Sequence, residues 1–212
     1  MATQRTSEKS RRIRRAPGDA EREILDAAES LLAERPFREL GVDDVMARTG
    51  MTRSSFYHYF RSLDDVAIAL MRRVQGEMMV AASPWLEADE DTDPLTAAER
   101  AIRGSAEIFA RHGAVLTAIH EASFQSEKVK DVWRHGVLED WIRAIAAQLR
   151  AQRERGLTRV DDPEEIARAL LLMNTMVFVE RLGHQPADSP EAVAATLLHI
   201  WAGAIYPGVL SR

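Results

Sequence analysis

The chain contains no cysteine, which excludes disulfides and thiolate metal sites and fits a reducing compartment. No apolar run approaches the roughly 20 residues needed to cross a bilayer, and the arginine-rich start leads into no apolar signal core. The expectation is a cytoplasmic chain without a membrane partner. Histidines 58, 112, 120, 135, 184 and 199 never pair in a zinc-ligand spacing, and His120-Glu121 lacks the second histidine of an HExxH helix. Gly104-Ser105 follows no strand, as a nucleophile elbow would require, and no glycine-rich phosphate loop is present. Catalytic residues, metal ligands and cofactors are accordingly expected to be none. Alternation with period two is also missing, so the expected fold is all-α.

What remains is an ordinary globular composition, 46% apolar and 29% charged, with a formal net charge of −5. That sum argues against a nucleic-acid partner until its distribution is examined. Residues 1–15 carry six basic side chains against Glu8 alone, whereas residues 81–212 carry the acidic excess. Residues 1–18 are expected to form a basic, disordered arm able to order on phosphates. A first helix should start at Asp19 as its N-cap, bury Ile24, Leu25, Ala28, Leu31 and Leu32 as one stripe, and stop before Pro36.

The most informative stretch runs from Val42 to Tyr59. A short helix to Thr49 is followed by Gly50 and Met51, then by a second helix opened by Thr52. Glycine enters the left-handed backbone region without a Cβ penalty, so Gly50 permits the tight corner, with Val45, Met46 and Ala47 as inner face and Met51 as plug. This is a helix-turn-helix pattern. The second helix displays Thr52, Arg53, Ser54, Ser55, Tyr57, His58 and Tyr59, with Phe56 and Phe60 left as anchors at i, i+4. Hydrogen-bonding side chains so concentrated suit a major-groove reader of double-stranded DNA. Ser62-Leu63-Asp64-Asp65 then reads as a capping box opening a fourth helix, the mechanical link to the rest of the chain.

Further helices are expected at residues 95–111, 114–125, 127–155, 163–182 and 190–206, about nine in all. The last two, containing IARALLLMNTMVFV and VAATLLHIWAGAI, are apolar around most of their circumference. Helices of that kind need neighbours on two sides, which points to an isologous four-helix interface in a homodimer.

The segment FRELGVDDVMARTGMTRSSFYHYFRSLDDV, Phe37 to Val66, resembles the DNA-binding module of the TetR family of bacterial repressors, and PEEIARALLLMN and TLLHIWAGAIYPG resemble a mycobacterial branch of it. The resemblance implies a DNA-binding head at 19–62 and a ligand-binding and dimerisation body at 63–212. It also implies phosphate contacts by Thr52, Ser55, Tyr57 and Tyr59 and base contacts by Arg53, Ser54 and His58. Where the family usually carries a lysine at the start of the fourth helix this chain has Leu63, and Arg61 is the nearest substitute.

A head on a large helical body implies an effector that alters the head, and an apolar cavity is the usual place for one. Phe109, Phe124, Trp133, Trp141, Asn174, Phe178 and Trp201 are the candidates to line it. Asn174, inside LLLMNTMVF, must find hydrogen-bond partners, in a neighbour, a second copy or a ligand. One amide among aromatics suits a small hydrophobic effector bearing a carbonyl or similar acceptor. The expected function is a ligand-responsive repressor of a palindromic operator, with an activator of the same fold or a sequence-tolerant architectural DNA binder as alternatives.

Overall fold

The computed structural model describes residues 17–184 and 186–206. All but the end of the expected basic arm lies outside the described residues. Among those described the fold is all-α: α1 (Pro17–Leu32), a 3-10 turn (Phe37–Glu39), α2 (Val42–Thr49), α3 (Arg53–Tyr59), α4 (Leu63–Leu86) and α5 (Pro94–Gln125) come first. They are followed by α6 (Glu127–Asp131), a π-helical stretch (Val132–Leu138), α7 (Glu139–Glu154), α8 (Pro163–Leu182) and α9 (Pro190–Ile205).

Most starts are written into short polar signals. Thr52, Asp93, Ser126, Asp162 and Ser189 each accept a backbone N–H of the turn they cap, and a proline follows three of them at the first helical position. Three local expectations need correction. Helical backbone is already present at Pro17, so Asp19 lies in the first turn and is not the N-cap; proline's fixed φ suits that entry. The break expected between 95–111 and 114–125 falls where α5 kinks: His112, with φ of −108° and ψ of 16°, leaves the helical region, and the two helices run on as one bent element. The helix expected at 127–155 is interrupted by the π stretch, which contains the weak helix former Gly136. Ser62 makes no side-chain cap; Asp65 instead accepts the Arg61 N–H at 2.9 Å and binds Lys128.

Two apolar cores result. One gathers α1, α2, α3, the first half of α4 and the second half of α5 around Ile24, Val45, Phe56, Val66, Leu70 and Val115. The other joins the second half of α4 and the first half of α5 to α7, α8 and α9 around Ala106, Leu149, Leu182 and Leu197. Helix α5 is the mast of the molecule, packing on α1, α4, α6, α8 and α9. Helix α4 belongs to both cores, and this shared membership places the head relative to the body.

Candidate DNA-reading face and apolar cavity

The corner between α2 and α3 forms as the residues dictate. Gly50 caps α2 with φ 64° and ψ 13°, and Thr49, buried, donates its hydroxyl to the Met46 carbonyl while accepting the Met51 N–H at 3.1 Å. Val45 and Met46 are buried as expected. Ala47 is exposed; its place on the inner face is taken by Thr49, two residues on and still in the last turn. Asp44 accepts the Gly41 N–H and pairs with Arg35, and that guanidinium, then the backbone N–H, holds its carboxyl below the ordinary range.

Helix α3 is pinned by Phe56, wholly buried, and Phe60. The helical period then turns Arg53, Ser54, Tyr57 and His58 outward together, and Thr52 and Arg61 flank them, also exposed. Ser55 and Tyr59 are only half exposed. The Ser55 hydroxyl lies 3.0 Å from the Thr52 hydroxyl at the cap, and Tyr59 packs against the head core with its ring edge-on to His58. Leu63 is half-buried against the same core, so the position that carries a lysine in the family is used here for packing. Arg53 is held at both ends: one terminal nitrogen donates to Asp43 at 2.6 Å, the other to the Tyr57 hydroxyl at 3.3 Å.

Between the two cores lies a cavity of about 120 Å³. Its wall contains all four tryptophans of the chain, Trp85, Trp133, Trp141 and Trp201, with the rings of Phe109 and Phe178 tilted against each other at 5.2 Å between centroids. Six of the seven sequence candidates thus converge on one space. Phe124 does not: in the last turn of α5 it points to the outside, 78% exposed, against the His120 ring, because the inward positions of that turn are Ala122 and Ser123. Sequence reasoning missed the α4 wall, where Met71, Gln75, Met78, Ala82 and Trp85 follow one helical stripe. Gln75 interrupts that stripe, so the sequence does not mark it as a cavity wall. The π stretch contributes Trp133, Val137 and Leu138.

Asn174 shows how a carboxamide can be half satisfied. Its carbonyl oxygen accepts the Trp201 indole N–H at 3.0 Å, and among the described residues no hydrogen bond is made by its amide nitrogen. A polar strut closes one end of the body: Trp85 donates to the Tyr206 hydroxyl, which donates to Gln152 at 2.6 Å. Burial, above all, raises the Tyr206 pKa and keeps the phenol neutral. No cluster of histidines and carboxylates able to hold a metal exists among the described residues, and none of their helices is long and apolar enough to cross a membrane.

Comparison with known proteins follows the same division. The family model of bacterial regulatory proteins of the TetR family matches residues 24–70, and that of the C-terminal domain of the transcriptional regulator EthR matches residues 98–207. The chain is 36% identical over 208 residues to the HTH-type transcriptional regulator EthR of Mycobacterium tuberculosis, covering 97% of this chain and 96% of that one. It is equally similar, at 36% over 210 residues, to EthR of Mycolicibacterium smegmatis, covering 97% and 95%. A TetR-family regulator structure from Syntrophomonas wolfei superposes with a TM-score of 0.75 at 14% identity, covering 89% of this chain and 95% of that one, which supports the fold alone. The matched families are regulators, not enzymes. With the helix-turn-helix head and the EthR-type body both matched, the chain belongs to the TetR family of bacterial transcriptional regulators.

Proposed function

We propose that the protein is a homodimeric repressor that binds a palindromic operator through two α3 helices and is released by a small, mostly apolar effector. Base edges are read by Arg53, Ser54 and His58; phosphates are met by Thr52, Ser55, Tyr57, Tyr59 and Arg61. The observation that carries the effector half is Met71. This side chain belongs to the head core and also lines the cavity, so a ligand that reshapes the cavity acts directly on the head through α4. The amide nitrogen of Asn174 supplies a donor for a carbonyl on the effector. For the dimer, α8 and α9 leave Leu172, Met176 and Ile200 exposed, apolar side chains that a second copy would cover.

The test is a footprint on the DNA flanking the protein's own gene, titrated with a panel of apolar compounds carrying one carbonyl. Protection of an inverted repeat, lost on adding a compound that quenches tryptophan fluorescence, is the expected result. Equal operator affinity with and without a compound shown to occupy the cavity would overturn the release step. Equal protection of random DNA would favour a sequence-tolerant architectural binder.

A further inference from the structure

We infer that Asp43 is a specificity-determining residue: its carboxylate aims Arg53, turning a mobile cation into a directed reader of guanine. The inference rests on the proposal that Arg53 reads base edges. Asp43 stands in the first turn of α2, ten residues before Arg53, and reaches across the corner to its guanidinium at 2.6 Å. It caps nothing: the backbone N–H of Gly41 is taken by Asp44. Nor is the pair built for stability, because Arg53 and Asp43 are 57% and 71% exposed, where solvent weakens an ion pair until it biases side-chain orientation more than it supports the fold.

Its effect is on geometry. The Tyr57 hydroxyl holds the second terminal nitrogen, and the guanidinium carbon lies 5.8 Å from the centre of the Tyr57 ring. A guanidinium offers five N–H groups in a planar fork. Two are engaged, leaving one on each terminal nitrogen and the Nε–H, enough for a bidentate contact to O6 and N7 of guanine. An arginine already restrained at both ends loses less rotamer freedom on reading a base, and it cannot swing as readily to whichever phosphate is nearest. The carboxylate also repels phosphates, so its presence should weaken binding to random duplex while leaving the cognate contact intact.

The test selects binding sites from a random duplex library with the full-length parent, Asp43→Ala, Asp43→Glu, Arg53→Ala and the double variant, at one salt concentration. Circular dichroism and melting confirm that each is folded. The parent should select a guanine in each half-site that Arg53→Ala no longer selects, a change of roughly tenfold or more in preference. Asp43→Ala should reduce that same preference several-fold while tightening binding to random duplex, Asp43→Glu should restore part of it, and the double variant should show the base preferences of Arg53→Ala alone. Should Asp43→Ala strengthen binding to all sequences by one factor and keep the guanine preference, Asp43 is only a charge and the inference fails. Should Arg53→Ala leave every base preference unchanged, the base-reading role of Arg53 fails first, and the aiming role with it.

Discussion

Replacing Gly113 by alanine should uncouple the bend of α5 from the end of α8, and the size of the effect follows from one contact. A Cβ on Gly113 would stand 2.4 Å from the Leu182 carbonyl oxygen and 3.2 Å from the Gly183 Cα, both backbone atoms that no rotamer change can move. The helices would have to part by about 0.6 Å even to reach 3.0 Å, the shortest distance real Cβ atoms show. Forcing apart a packed contact of this kind costs about 1–3 kcal/mol, and alanine's better helix propensity returns up to roughly 1 kcal/mol. Because only backbone atoms can yield, the clash falls at the upper end of that range, and the net expectation is a loss of about 2 kcal/mol, or roughly 4–8 °C in melting temperature for a chain of this size. Gly76 in α4 is the control, because nothing lies within 4 Å of its added Cβ; Gly76→Ala should be neutral or stabilising by up to about 1 kcal/mol. Thermal melts by circular dichroism measure both. If Gly113→Ala melts with the parent while Gly76→Ala behaves as expected, α5 and α8 do not approach as closely as described. A second consequence is functional. His112, one residue before the contact, has Nδ1 2.5 Å from Glu29 of α1 and Nε2 3.3 Å from Glu77 of α4, so a shifted bend should also change operator affinity.

Trp201→Phe should leave the Asn174 carbonyl oxygen without its indole donor, destabilising the body by roughly 1–3 kcal/mol in urea titration, whereas a loss of only a few tenths would mean that water replaces the bond readily. An apolar effector that enters the cavity should quench or shift tryptophan emission, since every tryptophan lines that space; Phe124→Ser should leave the response unchanged, and a weakened response would return Phe124 to the site. Asp65 has its carboxyl pKa lowered by Lys128 first and by the Arg61 N–H as well, so it stabilises the fold above the ordinary aspartate pKa. That contribution disappears as pH falls from about 5 towards the lowered native value, and Asp65→Asn should flatten acid-induced unfolding in this window. An unchanged acid slope in the variant would place the titrating groups elsewhere.

Local chemistry determined the head from sequence alone. Gly50 needs a positive φ, Thr52 is an N-cap, and Phe56 with Phe60 leaves the polar face of a seven-residue helix only one way to point. Rules of this kind act over three or four residues and survive in any context that keeps the helix. The all-α class and the Asp-Pro and Ser-Pro starts of α5, α8 and α9 were readable for the same reason. Tertiary structure decided what depends on which faces meet. Aromatic residues look alike in sequence whether they fill a core or border a space, and only the approach of α4 to α5, α7, α8 and α9 separates Trp85 in the cavity wall from Phe124 on the surface. The same holds for the close approach of Gly113 to the Leu182 carbonyl of α8, some seventy residues away, and for the pairing of Asp43 with Arg53 across the corner. Side-chain periodicity fixes the direction a residue faces along its own helix; its neighbour is chosen by the packing of the whole chain.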